Sequence, residues 1–168
     1  MTDAKPRGPV GLCHIGMHAR DPAALAGFYS DVLGMKAVGS SGPDDPFVGV
    51  SRFLSSRPDE ESHEIVFFSD ARLRHTAFRV ATLAELRDRY RSVLERGLPI
   101  KMALNHGVSL AFYFDDPEGN LIEIYWATGL PYGQPYGHPI DLTLSEEELL
   151  RDVEQLAARQ GIEWCADR

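Results

Sequence analysis

The segment HIGMHARDPAALAGFYSDVLG, starting at His14, opens in alternation and then shifts to a helical period. Asp21-Pro22 supplies an N-cap and a proline at the first helical position. Leu25, Phe28, Tyr29, Val32 and Leu33 then share one helical face, and Gly34 stands where the helix should stop. The segment HTAFRVATLAELRDRYRSVLERG, starting at His75, repeats this layout. Thr82 with Glu85 predicts a capping box. Leu86, Tyr90, Val93 and Leu94 form the face, and Gly97 closes it. His, capping residue, Leu, Tyr and Leu recur at a single offset of 61 residues: His14/His75, Asp21/Thr82, Leu25/Leu86, Tyr29/Tyr90 and Leu33/Leu94. Such an internal repeat fixes architecture before any single element does.

Short strand-like runs follow each helix: FVGVSRFL and HEIVFF after the first, PIKMAL, VSLAFYF and NLIEIYW after the second. The expected fold is α+β, with two strand–helix–three-strand (βαβββ) modules at 8–70 and 71–126 making one domain, 8–126. One module would leave a one-sided sheet uncovered, so the two should pack together. Residues 127–168 are expected to form an extended Pro/Gly/Tyr-rich arm (127–144) lying on the domain surface, then a helix. Ser145 and Glu148 make its capping box, it runs to about Gln160, and Leu149, Val153 and Leu156 give it an apolar face against the domain or a partner.

Composition narrows the function. With 168 residues and 43% hydrophobic content, a real core is expected. The net charge of −8 argues against nucleic acid or an anionic membrane as the partner. No run of 18 apolar residues exists to span a membrane, and MTDAKPRGPV lacks a signal peptide's apolar stretch. The two cysteines, Cys13 and Cys165, form no motif, so a reduced cytoplasm is the expected compartment. Cys13 reads as a small core residue facing away from His14.

The chemistry begins in DDPEGNLIEIYW, residues 115–126. An Asp/Pro/Gly/Asn turn leads into a strand that reads as core, yet Glu123 sits in its middle. A buried carboxylate requires a positive partner. Leu121, Glu123 and Tyr125 share one face. A hairpin centred on Glu118 pairs Tyr113 with Glu123, putting a phenol roughly 5 Å away between Cβ atoms. His14 and His75 head the first strand of each module, and a pseudo-twofold would place them symmetrically. Two imidazoles and a carboxylate converging from three strands suit one divalent metal with open coordination sites, a set typical of non-haem Fe(II) oxygenases.

The paired modules, with H…D-P…F-Y-x-D-V-L-G and Y-F-x-D-P-E-G-N-x-I-E, resemble the vicinal oxygen chelate superfamily over roughly residues 10–126. That superfamily includes glyoxalase I, thiol transferases, bleomycin-resistance proteins and type I extradiol dioxygenases. The segment HEIVFFSDARLRH, residues 63–75, is most similar to the single-domain extradiol (catechol 2,3-) dioxygenases. The resemblance implies His14, His75 and Glu123 as metal ligands and His63 as acid–base. It implies Tyr113 as hydrogen-bond donor to the metal-proximal substrate oxygen, and His106, whose spacing departs by a residue or two, as holding the substrate hydroxylate. The implied cofactor is Fe(II), and the implied partners are a small aromatic diol and O2, yielding a ring-opened semialdehyde. A homo-oligomer is expected on the same ground.

The alternative is a glyoxalase-like isomerase or thiol transferase using Mn, Zn or Ni. Glu64 would be its further carboxylate. A metal-free small-molecule binder is a third class. His18 reads as cavity lining or surface, and His138 as an exposed arm residue.

Overall fold

The computed structural model describes residues 11–165. The start of the expected first module, residues 8–10, lies outside the described residues. Strand β1 (Gly11–His18) leads to helix α1 (Pro22–Leu33) and strands β2 (Lys36–Ser41), β3 (Ser51–Ser55) and β4 (Ile65–Phe68). A short 3-10 turn, Ala71–Leu73, connects to β5 (His75–Val80), helix α2 (Leu83–Glu95), β6 (Ile100–Asn105), β7 (Ser109–Asp115) and β8 (Leu121–Ala127). The arm adds β9 (His138–Pro139), and helix α3 (Glu146–Arg159) follows. The α+β class and the twice-run strand–helix–three-strand order are as expected. Among the described residues, no helix is long and apolar enough to cross a membrane.

All nine strands belong to one sheet in the order β2-β3-β4-β1-β5-β8-β7-β6-β9. β1 runs parallel to β4, and β5 parallel to β8. The halves join where β1 and β5 pair antiparallel, with Gly16 opposite His75 and His14 opposite Ala77. That junction is the local twofold inferred from the repeat.

Capping follows the sequence signals. Asp21 accepts from the Ala24 amide at 2.9 Å, and Gly34 takes the left-handed conformation that ends α1. Ser145 and Glu148 form a full capping box. At α2 the box is only half made. Thr82 accepts from the Glu85 amide, but the Glu85 carboxylate reaches the backbone N–H of Ala81, one residue before the cap.

Three expectations need correcting. The run FVGVSRFL is strand only from Ser51, because Asp45 caps the preceding turn by accepting from Phe47 and Val48. Strand β2, KAVGSS, is the third strand that the first module requires, but it is short of large apolar residues and lies ahead of the two runs named for that module. The α1 face is only partly buried. Leu25 and Tyr29 pack on the sheet, while Phe28, Val32 and Leu33 are 58%, 61% and 61% exposed.

The arm does more than lie on the surface. Its Gln134 carbonyl lies only 2.9 Å from where a Cβ on Gly39 of β2 would stand. Its β9 pairs with β6, and its Leu130 and Leu142 enter the largest apolar cluster with α2, α3 and the outer faces of β7 and β8. It thus connects the two edges of the curved sheet.

Candidate metal centre and cavity

The DDPEGN turn sets the register. Asp116 accepts from the backbone amides of Glu118 and Asn120, and Gly119 has the positive φ this turn needs. β7 and β8 then pair with Tyr113 opposite Glu123, as the hairpin centre predicts. Outer-face residues Phe112, Phe114, Ile122 and Ile124 enter the large core, which leaves Tyr113 and Glu123 on the inner face.

On that face, His14, His75 and Glu123 converge. The two imidazole Nε2 atoms are 3.2 Å apart, and Glu123 Oε2 lies 3.1 Å from one and 3.4 Å from the other. Donors about 2.1 Å from a metal lie about 3.0 Å apart at octahedral angles and about 3.4 Å apart at tetrahedral ones. The three edges of this triangle fall at or between those values, so the donor set fits a divalent cation. His75 Nδ1 donates to the Leu73 carbonyl at 2.8 Å, leaving the Nε2 lone pair aimed at the site. Glu123 is 3% exposed and His14 7%. Burial opposes ionisation of Glu123, but the charge and hydrogen bond of His14, with His75 behind it, outweigh this and hold the carboxyl well below its usual range. Burial also lowers His75, against the pull of Glu123.

A cavity of about 500 Å³ opens on the triad. His63 lines it, just before β4 rather than on that strand. Its ring centroid is 4.3 Å from that of His14 and 5.1 Å from that of Phe53. Burial, then the neighbouring His14, pushes its pKa well below the ordinary histidine value, so it is a neutral imidazole near neutrality.

On the other side, the Tyr113 hydroxyl meets His106 Nε2 at 2.9 Å. Burial and the charge of Glu123 raise the phenol well above its usual pKa, so it remains a donor. His106 Nδ1 faces the Tyr136 carbonyl at 2.6 Å.

The other sequence candidates fall elsewhere. Glu64 bonds the Ser56 amide and the Arg57 guanidinium and is absent from the cavity lining, so it is no further ligand. His18 is exposed in a separate shallow groove. His138 is half-buried and bonded at both ring nitrogens, contrary to the expectation of an exposed residue. A β-bulge between Leu12 and His14 brings Cys13 into the cluster of Ala77 and Tyr125.

Two contributors escaped the sequence reading. Gly16 is required because a Cβ there would lie 2.6 Å from His75 Nδ1. A glycine inside the alternating HIGMH strand was the available signal. Glu61 lines the cavity and is bonded by Arg79 at 3.0 Å and the Tyr125 hydroxyl at 3.2 Å. Nothing in its local sequence distinguishes it from Glu60.

The profile of the Glyoxalase/Bleomycin resistance protein/Dioxygenase superfamily matches residues 11–124. The chain belongs to this superfamily. Among its relatives in the superfamily is biphenyl-2,3-diol 1,2-dioxygenase 3 of Rhodococcus globerulus, 30% identical over 125 residues, covering 67% of this chain and 61% of the relative. Biphenyl-2,3-diol 1,2-dioxygenase 2 of the same organism is 34% identical over 77 residues, covering 39% of this chain and 40% of the relative. The chain therefore spans about half the length of these relatives. The crystal structure of the 2,3-dioxygenase LapB from Pseudomonas sp. KL28 superposes with a TM-score of 0.62 at 22% identity, over 79% of this chain and 46% of that one. The Mn(II)-bound glyoxalase from Novosphingobium aromaticivorans gives 0.59 at 19% identity, over 83% and 44%. At these identities the structures establish the shared fold. The superfamily membership and the buried triad support a divalent metal at His14, His75 and Glu123.

Proposed function

We propose that this chain is an extradiol dioxygenase that opens the ring of a catechol-type substrate with O2, using Fe(II) held by His14, His75 and Glu123. The observation that carries this reading is the clustering of three further proton-handling groups around the triad in one cavity: His63 against His14, and Tyr113 bonded to His106. The similarity to biphenyl-2,3-diol dioxygenases points the same way. Fe(II) held by His14, His75 and Glu123 would supply open coordination sites and a route for electrons between the diol and O2.

The chain's own residues manage protons and position. His63, a neutral imidazole at ordinary pH, takes a proton from the diol and later returns it. Tyr113, still a phenol, donates a hydrogen bond to the substrate oxygen nearest the metal. His106 Nε2, to which Tyr113 donates in the structure, would accept instead from the diol hydroxyl on that side and pair with the hydroxylate as the proton moves onto the ring, which frees the Tyr113 hydroxyl for the substrate. Val48, Phe53, Leu104, Leu130 and Pro135 give the cavity an apolar wall that keeps water from the reacting ring. The isomerase alternative asks for a further carboxylate, and Glu64, its candidate, is occupied by Ser56 and Arg57.

Anaerobic loading with Fe(II), followed by a catechol and air, should give O2 uptake and a yellow ring-opened product. His63→Ala should keep its iron and lose most turnover. Wild-type rates in that variant would remove His63 from the mechanism. No uptake over a panel of catechols, with tight Zn or Ni binding, would favour the isomerase or transferase.

A further inference from the structure

Behind the cavity wall runs a chain of hydrogen bonds that the proposed reaction does not use. Asp152 Oδ2, on α3, accepts from the Asn105 amide at 2.8 Å and from His138 Nε2 at 2.8 Å. A neutral imidazole has one donor and one acceptor nitrogen, so His138 Nδ1 accepts, and the Tyr136 hydroxyl donates to it at 2.9 Å. Asn105 is fully buried, and its Oδ1 accepts from the Gly107 backbone at 2.7 Å. His106 lies between these two anchored residues. Its own carbonyl accepts from the Gln134 amide at 2.8 Å.

The same logic fixes the His106 ring. Nδ1 faces the Tyr136 carbonyl, which can only accept, so Nδ1 carries the proton. Nε2 is therefore bare, and the Tyr113 hydroxyl donates to it. Everything rests on where the Tyr136 carbonyl sits. The backbone there is weakly held, because β9 contributes only two residues to the sheet. Side chains supply the remaining anchorage, and Asp152 is where they converge.

We propose that Asp152 and His138 are positioning residues: helix α3 clamps the arm so that the Tyr136 carbonyl fixes the His106 tautomer and with it the direction of the Tyr113 hydroxyl. Neither residue lines the cavity, and both lie beyond the stretch that matches the superfamily. The C-terminal arm and helix thus become part of the working site. This proposal rests on the reading of Tyr113 and His106 as groups that meet the diol.

The test has two readouts. In metal-free protein labelled with ¹⁵N-histidine, long-range proton–nitrogen correlations report the His106 tautomer. Wild type should show the Nδ1–H form, and Asp152→Ala a mixture with the Nε2–H form. After metal loading, kcat for diol cleavage should fall roughly tenfold, at the low end for outer partners of an active-site imidazole. KM should move less than about twofold, because uniform binding is untouched. Asp152→Asn, which keeps an acceptor oxygen, should recover part of both. An Asp152→Ala protein that folds and retains the Nδ1–H tautomer overturns the proposal. If Asp152→Ala does not fold, Tyr136→Phe decides on the same two readouts, since it deletes one oxygen and keeps the ring. If wild type cleaves no diol, the tautomer readout still judges the clamp, and the failure falls on the functional reading alone.

Discussion

The two halves of the sheet share a sequence layout but are finished differently. In the half made by β5–β8, helix α2 is backed by α3 and the arm, and Leu86, Leu110, Phe112, Leu149 and Val153 are almost wholly buried in one cluster. In the half made by β1–β4, α1 packs alone on a smaller cluster of Ala26, Met35, Leu54 and Phe67, and its Phe28, Val32 and Leu33 stay open. Both helices carry the same apolar spacing, so periodicity marks which residues can be buried, and the neighbouring elements decide which are. The site is divided unequally too. The β1–β4 half supplies His14 and His63, while the other supplies His75, His106, Tyr113 and Glu123 together with the backing layer. The more heavily buttressed half carries most of the polar groups that must be held in place.

The largest expected effect tests the junction of the halves. Glu123→Leu removes the one carboxylate that both histidines share. Metal content should fall to background and diol cleavage by more than about 100-fold, beyond the range of outer-partner losses. The metal-free variant should be less stable than metal-free wild type, because only one partner of a buried pair is removed and the two imidazoles lose the carboxylate they share. A variant that retained stoichiometric metal would break the assignment of the triad.

Next comes the contrast in helix burial. Leu86→Ala in α2 should lower stability by about 2–5 kcal/mol, as a cavity in a packed cluster does. Val32→Ala in α1 should change it by less than about 0.5 kcal/mol. Chemical denaturation of both variants checks this. Equal losses would mean that α1 is covered in solution, which is what the expected homo-oligomer would do, and sedimentation would then show the assembly.

Gly16→Ala acts where the halves touch. The added methyl would collide with the His75 ring, so that ring must turn. Metal affinity should drop by roughly 10- to 100-fold, the usual loss when a ligand's orienting surroundings are disturbed. Titration with a competing chelator measures it. Unchanged affinity would show that His75 has room to move.

How much of this was legible in the sequence depended on the range of the signal. The repeat, the helix caps and the Tyr113–Glu123 pairing arise from short-range spacing, and spacing survives folding. Strand β2 could be counted but not located, because KAVGSS lacks the apolar alternation that marks a strand, and its pairing with β3 supplies what its side chains do not. His138 was read as exposed because its partners, Asp152 and the Tyr136 hydroxyl, are fixed only once α3 docks. Glu61 and Gly16 matter through residues 18 and 59 positions away, Arg79 and His75, and no local pattern reports such a contact.

The smallest expected effect sits in the link between the halves. Asp70 caps the turn that leads to Leu73, whose carbonyl orients His75. Hydrogen bonds from the Arg72 guanidinium, then from its backbone amide, hold the Asp70 carboxyl down to about 2. A depressed carboxyl stabilises the fold above its unfolded pKa, and that contribution is lost as pH falls through the folded value. The window is therefore about 3.8 down to about 2. Asp70→Asn keeps an oxygen for the Arg72 amide but loses the charge, so its acid unfolding should be flatter than wild type across that window. At neutral pH the metal affinity of the variant should be nearly unchanged, since the carboxamide still caps the turn. Parallel acid-unfolding curves would show that the ion pair is screened by solvent. A clear loss of metal affinity at neutral pH would show instead that the charge, beyond the cap, holds the Leu73 carbonyl against His75.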